Sequence, residues 1–300
     1  MPRIIHDLRI TQEGRNEPGP HCGGLWVRTN DEIRELSDAS GFPLWPHTPD
    51  NLRLVLEVDE SDPRLAKLYK AIWEKYQLKP SPWTIIPTAE RHRYFGVRRK
   101  PTWTKQELDA SELLWLKNTL IIGTNKDATP EEWAREDYVA AVDSKQNSKT
   151  QFGSLSPFMA LAVAEPLRSQ VLDAGLTGLH LPPVVFVPRS KPVRKPLWAL
   201  RSSVMLPRAG NLLQGEHGNE VEPNTEWACM WDDGGMYPPV LHYQRAEIEQ
   251  LGRFDIALTY ERVGITVQGA FRQCIVSQRF REVFATLNVK GVTYVPVDVA

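Results

Sequence analysis

Two pairs of adjacent residues have side chains that could carry out chemistry. His21 precedes Cys22, which places a base beside a thiol, and Asp232 precedes Asp233, two carboxylates suited to acid–base work. A catalytic pair needs side chains that point at one another, which neighbours in a segment rich in glycine and proline seldom do. We therefore expect an idle thiol at Cys22 and an acidic turn before Gly234. No P-loop, GxSxG, HExxH or dinucleotide-binding fingerprint occurs, so we predict a protein without a catalytic residue or cofactor, and not an enzyme.

The segment from Glu216 to Asp233 is acidic and aromatic. It holds six acidic residues and no lysine or arginine. This composition is typical of a surface that captures a basic protein, although a solvated loop can have it as well. The candidate partner-binding residues are Trp227, Trp231, Asp232 and Asp233.

The segment from Arg91 to Lys105 has the opposite charge. Its cations alternate with aromatic residues, as on a surface where cations meet phosphates and rings stack on bases. The candidate residues for such a nucleic-acid surface are Arg91, Arg93, Arg98, Arg99 and Lys100. An ordinary exposed strand, or one that docks against the acidic segment, would show the same pattern. Nucleic-acid binding therefore stays the alternative to a protein partner.

The whole chain is nearly neutral, since 36 basic and 37 acidic residues give a net charge of −1. Its total charge favours no class of partner. Three widely separated cysteines form no disulfide framework, which indicates reduced thiols and a cytoplasmic protein. A charged N-terminus and the lack of a long apolar run predict neither a signal peptide nor a membrane span.

Local patterns predict the elements that must position these residues. Residues 52–58 have the composition of a strand. Asp62 and Pro63 then supply an N-cap and a first-turn proline, and the apolar residues behind them fall on one face of a helix of about four turns. That apolar stripe consists of Leu65, Leu68, Tyr69, Ile72, Trp73 and Tyr76. A stretch rich in proline and glycine, 182–223, is expected to connect two halves.

An internal repeat relates two parts of the chain. At an offset of about 113 residues, the sequence from Ala162 to Ala164 aligns with that from Ile275 to Ser277, and later glycine and Pro-Val positions coincide without a gap. Each copy has the pattern strand, helix, strand. The helices should end at Gly175 and Asn288, the residue types that most easily adopt the left-handed conformation.

These patterns predict an α+β fold with two related halves, 1–188 and 189–300, each ending in a strand–helix–strand unit. The sheets should be mixed or antiparallel, with helices packed on one face. Such a duplicated chain is a natural binding scaffold.

Three segments in the last third of the chain resemble a known family. The segments 254–261, 274–280 and 289–297 are similar to the C-terminal pattern of bacterial polymorphic-toxin immunity-like proteins, among them the double-CXXCG motif proteins of myxobacteria. The shared pattern is an acidic-aromatic stretch, IVS-x-R-aromatic at a helix start, and G-[VL]-x-aromatic-x-PV. Residues 93–184 resemble the family more loosely. The resemblance implies a non-enzymatic protein that binds and neutralises a cognate bacterial toxin.

The sequence departs from this family at its cysteines. The family name implies two cysteine pairs of a zinc-binding kind, but Cys22 keeps only the second member of one pair, with Gly19 in the other position, and Cys229 keeps only the first member of another. Structural zinc needs about four thiolate or imidazole ligands, so we expect no metal. The sequence thus favours an immunity-like protein that occludes its toxin through the acidic and aromatic surface.

Overall fold

The computed structural model describes residues 3–12, 19–21, 24–48, 51–82, 93–124, 150–156, 160–184, 196–210, 227–229, 240–264 and 271–300. They form an α+β fold with mixed sheets and several helices, as the sequence predicts. The chain divides into two compact units, one containing the described residues up to Thr104 and the other those from Lys105 onward. Within the described ranges, no helix is both long and apolar enough to cross a membrane.

The first unit consists of a mixed sheet and, among its described residues, two helices. Its elements are β1 (Arg3–Gln12), β2 (Gly19–His21), β3 (Gly24–Val27), α1 (Asn30–Ser40), β4 (Trp45–Thr48), β5 (Asn51–Asp59), α2 (Pro63–Tyr76), β6 (Lys79–Pro82) and β7 (Tyr94–Thr102). The strand order is β2-β3-β1-β5-β4, and β7 pairs with β1 and β6. Along one edge, β1 pairs with β5 in antiparallel orientation. Along its other edge, the first half of β1 pairs antiparallel with β7 and the second half pairs in parallel with β3.

The helix α2 forms where the sequence predicts it. The Asp62 side chain accepts the backbone N–H of Arg64 at 2.9 Å, and Pro63 opens the first turn. Three members of the predicted stripe are buried: Leu65, Leu68 and Ile72. Trp73 stays 42% exposed at the margin of the stripe. The predicted strand at 52–58 is also confirmed, as part of β5.

Alternation along β1 gives this sheet two different faces. Leu8 and Ile10 are completely buried and pack in one core with apolar residues of α1 and α2. The intervening residues Asp7, Arg9 and Thr11 lie on the opposite face, because successive side chains of a strand point to opposite sides. We call this second face, which α1 and α2 do not cover, the open face.

The second unit contains the remaining described elements. They are α3 (Lys105–Ala110), β8 (Leu113–Asn118), β9 (Ile121–Thr124), β10 (Phe152–Ser156), β11 (Ala160–Ala164), α4 (Leu167–Asp173), β12 (Leu179–His180), β13 (Leu197–Ala199), β14 (Arg201–Ser202), β15 (Trp227–Cys229), β16 (His242–Tyr243), α5 (Arg245–Gln250), β17 (Ile256–Gly264), β18 (Phe271–Ser277), α6 (Gln278–Thr286) and β19 (Val292–Val299). They form a sheet ordered β15-β17-β18-β8-β19-β16, a second sheet ordered β13-β11-β10-β9, and the pair β12-β14.

Both copies of the repeat have the same elements. The first is β11-α4-β12 and the second is β18-α6-β19. Gly175 and Asn288 adopt the predicted left-handed conformation, with φ of 60° and 53°, and Gly178 and Gly291 also have positive φ. In each copy an antiparallel strand separates the two strands: β13 and its continuation β14 pair with β11 and β12, and β8 pairs with β18 and β19. Each copy is therefore a split β-α-β unit.

The compact units do not follow the expected division near residue 188. Both split β-α-β units belong to the second unit, which begins at Lys105. The reason is β8, which lies early in the chain but pairs with β18 and β19 near its end. The stretch 182–223 is likewise more than a connection, since its described part contributes β13 and β14 to the same unit.

Candidate functional site

The structure describes the backbone of one predicted partner-binding residue. Trp227 begins β15, whereas Trp231, Asp232 and Asp233 lie outside the described residues. β15 pairs in parallel with β17 and stands at the end of its sheet, and its central residue Ala228 is completely buried. No other described strand pairs with the outer side of β15. The backbone donors and acceptors on that side therefore have no described sheet partner.

The predicted nucleic-acid residues fall mainly on β7. Arg98, Arg99 and Lys100 belong to this strand, Arg93 is exposed just before it, and Arg91 lies outside the described residues. The antiparallel register with β1 divides the three strand residues between the two faces of the sheet. Arg98 and Lys100 lie on the open face, and Arg99 lies on the helix-covered face.

Carboxylates neutralise the two β7 cations of the open face. Lys100 Nζ lies 2.7 Å from Asp7 Oδ2 and 2.9 Å from Glu57 Oε1, and Arg98 lies 3.9 Å from Asp7. Burial opposes the charge of Lys100, but its hydrogen bonds to Asp7 and Glu57 prevail and raise its pKa. Two cations and two carboxylates cancel here, so this end of the face offers little net charge to a phosphate backbone.

Arg99 belongs to a polar network on the helix-covered face. Its guanidinium lies 3.1 Å from Glu60 Oε1, which also lies 3.3 Å from His6 Nε2. His6 Nδ1 lies 2.7 Å from the Tyr69 hydroxyl. Burial lowers the pKa of His6 against the opposing effect of Glu60. In the neutral ring, Nε2 donates to Glu60, because a carboxylate only accepts, and Nδ1 accepts from the Tyr69 hydroxyl. Both ring nitrogens bind the protein itself, which makes the network structural.

A β-bulge in β17 buries a carboxyl group. The register with β18 shifts around Thr259, whose hydroxyl accepts the Gln273 N–H at 2.8 Å. Glu261, two residues on, is 2% exposed and accepts the Ala209 N–H at 2.8 Å through one oxygen. Its other oxygen has no hydrogen-bond partner in the described part of the chain, and burial raises its pKa. The buried Tyr243 lies close enough for the Glu261 charge to add to the effect of burial in raising the pKa of the phenol.

Asp255 is the polar centre that joins the two split β-α-β units. It is 2% exposed and accepts both the backbone N–H and the hydroxyl of Thr177, each at 2.9 Å. At the start of α6 it accepts from Ser277 Oγ at 2.8 Å and from Arg279 at 2.6 Å. Arg279 also donates to the Ala174 carbonyl at 2.7 Å. Burial opposes the ionisation of Asp255, but these hydrogen bonds and the Arg279 charge prevail and lower its pKa.

Neither Asp255 nor Glu261 was singled out as a site residue from sequence. The sequence offers one indication of these two residues. Asp255 comes directly before the largely apolar strand β17, and Glu261 interrupts its apolar pattern. Their partners are far away in the chain, so no local pattern relates them. The structure assigns Asp255 a packing role, and Glu261 is too enclosed to meet a substrate directly.

Comparison with known proteins identifies no relative. No protein-family model matches the chain, and neither a curated protein nor a solved structure matches it. The resemblance to immunity-like proteins therefore remains a hypothesis based on the sequence.

Proposed function

We propose that this chain is a non-enzymatic, cytoplasmic binding protein that neutralises a cognate bacterial toxin by occlusion, as its resemblance to immunity-like proteins implies. The observation that supports this proposal is the position of β15 at the end of its sheet. An edge strand presents a row of backbone N–H and C=O groups, to which an extended segment of a partner can add as a further strand.

The sequence around β15 indicates the chemistry of the partner. Residues 216–233, which include β15, carry six carboxylates and no lysine or arginine. A toxin segment rich in lysine and arginine would be drawn to this edge, and its association would be fastest at low salt. Trp227 and Trp231 are of the residue type that most often dominates binding energy at interfaces.

The described polar clusters support binding rather than catalysis. His6 uses both ring nitrogens within its own unit, and Asp255 receives four hydrogen bonds from its own chain. Glu261 is 2% exposed. A general acid or base must come within hydrogen-bond reach of its substrate, which none of these three groups does in its present setting. Occlusion needs a complementary surface and no reactive group.

The alternative, nucleic-acid binding through the 91–105 stretch, has less support. Arg98, Arg99 and Lys100 each form an ion pair with a carboxylate of the same unit. A cation that is already paired releases few counterions when it meets a phosphate, so it contributes little to affinity.

The experiment is a binding and protection assay with a defined partner, the product of the gene adjacent to the one encoding this chain. Expression of the adjacent gene alone should suppress growth, and co-expression of this chain should restore it. The two purified proteins should also bind each other. The test variant combines four replacements: Trp227→Ala, Trp231→Ala, Asp232→Ala and Asp233→Ala. We expect it to bind at least about 100-fold more weakly, because truncation of even two hot-spot residues costs about 2 kcal/mol each.

The matched control removes two exposed carboxylates of α5, Glu247 and Glu249. Replacement of both by alanine should leave binding within about twofold of wild type. If the four-residue variant melts like wild type and still binds and protects, the surface around β15 is not the site of occlusion. If the neighbour is not toxic and does not bind, the immunity-like role itself is wrong.

A further inference from the structure

A row of side chains crosses the open face of the first unit. The strands β3, β1, β5 and β4 are successive neighbours in the sheet. Their register places four residues in line: Trp26, Thr11, Arg53 and Trp45. Neighbouring strands lie about 4.8 Å apart, so the two outer strands that carry the tryptophans are about 14 Å apart. We call these four residues the Trp–Arg row.

The charge beside this row is not neutralised. Within the described residues Arg53 has no ion-pair partner, and its Nε is buried without a hydrogen bond. Arg9 pairs with Val55 on β5, which makes it the diagonal neighbour of Arg53, about 7–8 Å away. Arg9 is exposed and also forms no ion pair with the described chain. At the other end of the open face, by contrast, Asp7 pairs with its cations. Among the described residues of this face, the cations without an ion pair therefore lie at the tryptophan end.

One aromatic group of the row is well exposed. Trp45 is 62% exposed, the highest value among the described large hydrophobic residues, and it lies on the edge strand β4. Trp26 is half-buried on β3. An exposed indole gains little from its own core. Trp45 shares this face with two guanidinium groups that form no ion pair within the described chain, which indicates a partner that is both planar and anionic.

We propose that the open face binds single-stranded nucleic acid, with a base stacked on Trp45 and phosphates at Arg53 and Arg9. Indole rings stack on any base, and guanidinium groups attract phosphates and can stack as well. A span of about 14 Å accommodates about four bases at the 3.4 Å repeat of a stacked strand. A duplex keeps its bases inside and cannot use the rings, so the unpaired strand is the ligand that fits.

This inference goes beyond the proposed toxin-neutralising role and depends on different residues. Each can therefore fail while the other holds. It also differs from the alternative drawn from residues 91–105. It uses cations of β1 and β5 that have no carboxylate partner among the described residues, in place of the paired cations of β7.

The test is a fluorescence-anisotropy titration of the full chain with labelled single-stranded RNA and DNA of about eight nucleotides. Trp45→Ala should weaken binding by about 5- to 160-fold, the range expected for the loss of one stacked base. Replacing both Arg9 and Arg53 by glutamine should reduce the slope of log affinity against log salt by about 1.4, since each single-strand phosphate contact contributes about 0.7. Arg53→Lys, which keeps the charge, should retain most of that slope.

The matched controls are Trp73→Ala, an exposed tryptophan of the helix α2, and Arg98→Gln, a paired cation of the open face. Both should bind within about twofold of wild type. Equal affinity for a duplex or for a polyglutamate peptide would overturn the proposal in favour of a general anion site. So would an absence of single-strand binding at low salt, or equal losses in Trp45→Ala and Trp73→Ala when thermal melting shows both variants folded.

Discussion

Replacement of Asp255 by asparagine tests how the second unit is held together. Asp255 accepts four hydrogen bonds in a site that is 2% exposed, and they link the loop after α4 to the start of α6. Asparagine is the same size and can keep one acceptor oxygen towards Thr177 and Arg279. Its amide then faces Ser277, whose hydroxyl can rotate to accept. The variant therefore loses the negative charge while most of the contacts remain.

The magnitude follows from that loss of charge. A hydrogen bond to a charged group contributes about 1.5–3 kcal/mol, and breaking a buried ion pair costs about 3–5 kcal/mol. The Arg279 side chain is 39% exposed and can turn to water, which reduces its share of the cost. We expect Asp255→Asn to lower the free energy of unfolding by about 2–3 kcal/mol, which is about 4–12 °C in Tm for a unit of this size. Asp255→Ala should cost about 3–5 kcal/mol.

The assay is calorimetric unfolding of the full chain, with hydrogen exchange followed at the Thr177 amide, which donates to Asp255. The control is Asp109→Asn, which removes an exposed carboxylate 2.7 Å from Arg281 and should cost less than about 1 kcal/mol. Because the pKa of Asp255 is lowered in the folded chain, its contribution is complete above the ordinary value of 3.8 and is lost as the pH falls through the folded value. The difference in the free energy of unfolding between wild type and Asp255→Asn should therefore become smaller below about pH 4. The central role of Asp255 would be refuted if Asp255→Asn and Asp109→Asn lowered the free energy of unfolding equally. It would also be refuted if the hydrogen-exchange rate of the Thr177 amide did not change in Asp255→Asn.

Three further predictions concern the same unit. Glu261→Gln should stabilise the protein by about 1 kcal/mol at pH 7, because it removes a buried carboxylate with one unbonded oxygen; since the pKa of Glu261 is raised on folding, urea titrations should show the advantage growing as the pH rises above its ordinary value of 4.5. Gly291→Ala should destabilise more than Gly175→Ala in thermal melting, because both have positive φ but only at Gly291 would a Cβ overlap another side chain, that of Leu120. Phe284→Ala should cost about 3–5 kcal/mol in denaturant unfolding, since this ring is 1% exposed in the core between the split β-α-β units.

The local elements of this protein could be predicted from its sequence because the forces that fix them act between residues close in the chain. The stripe behind Asp62 and Pro63 became α2, and the repeat at an offset of about 113 residues became two split β-α-β units. Gly175 and Asn288 ended their helices in the left-handed conformation as expected. Each prediction required only periodicity, a cap or a backbone preference.

For the candidate sites, the sequence showed only which residue types cluster along the chain, and not how their side chains pair or align. Sequence identified the cations of β7, but not that Asp7, Glu57 and Glu60 neutralise three of them. It gave no sign that β3, β1, β5 and β4 align Trp26 with Trp45 across one face. Most of the acidic and aromatic segment lies outside the described residues, so its binding role stays a prediction.

Tertiary structure alone decided how distant segments pair. Because β8 lies between β18 and β19, the boundary of the compact units falls after residue 104. Asp255 accepts hydrogen bonds from Thr177 and Arg279, which are distant from it in the chain. Pairing between strands more than 150 residues apart has no local signature, because many strands of similar apolar composition compete for the same edge. The choice among them is made by the burial of whole faces and the satisfaction of buried polar groups, which depend on the complete fold.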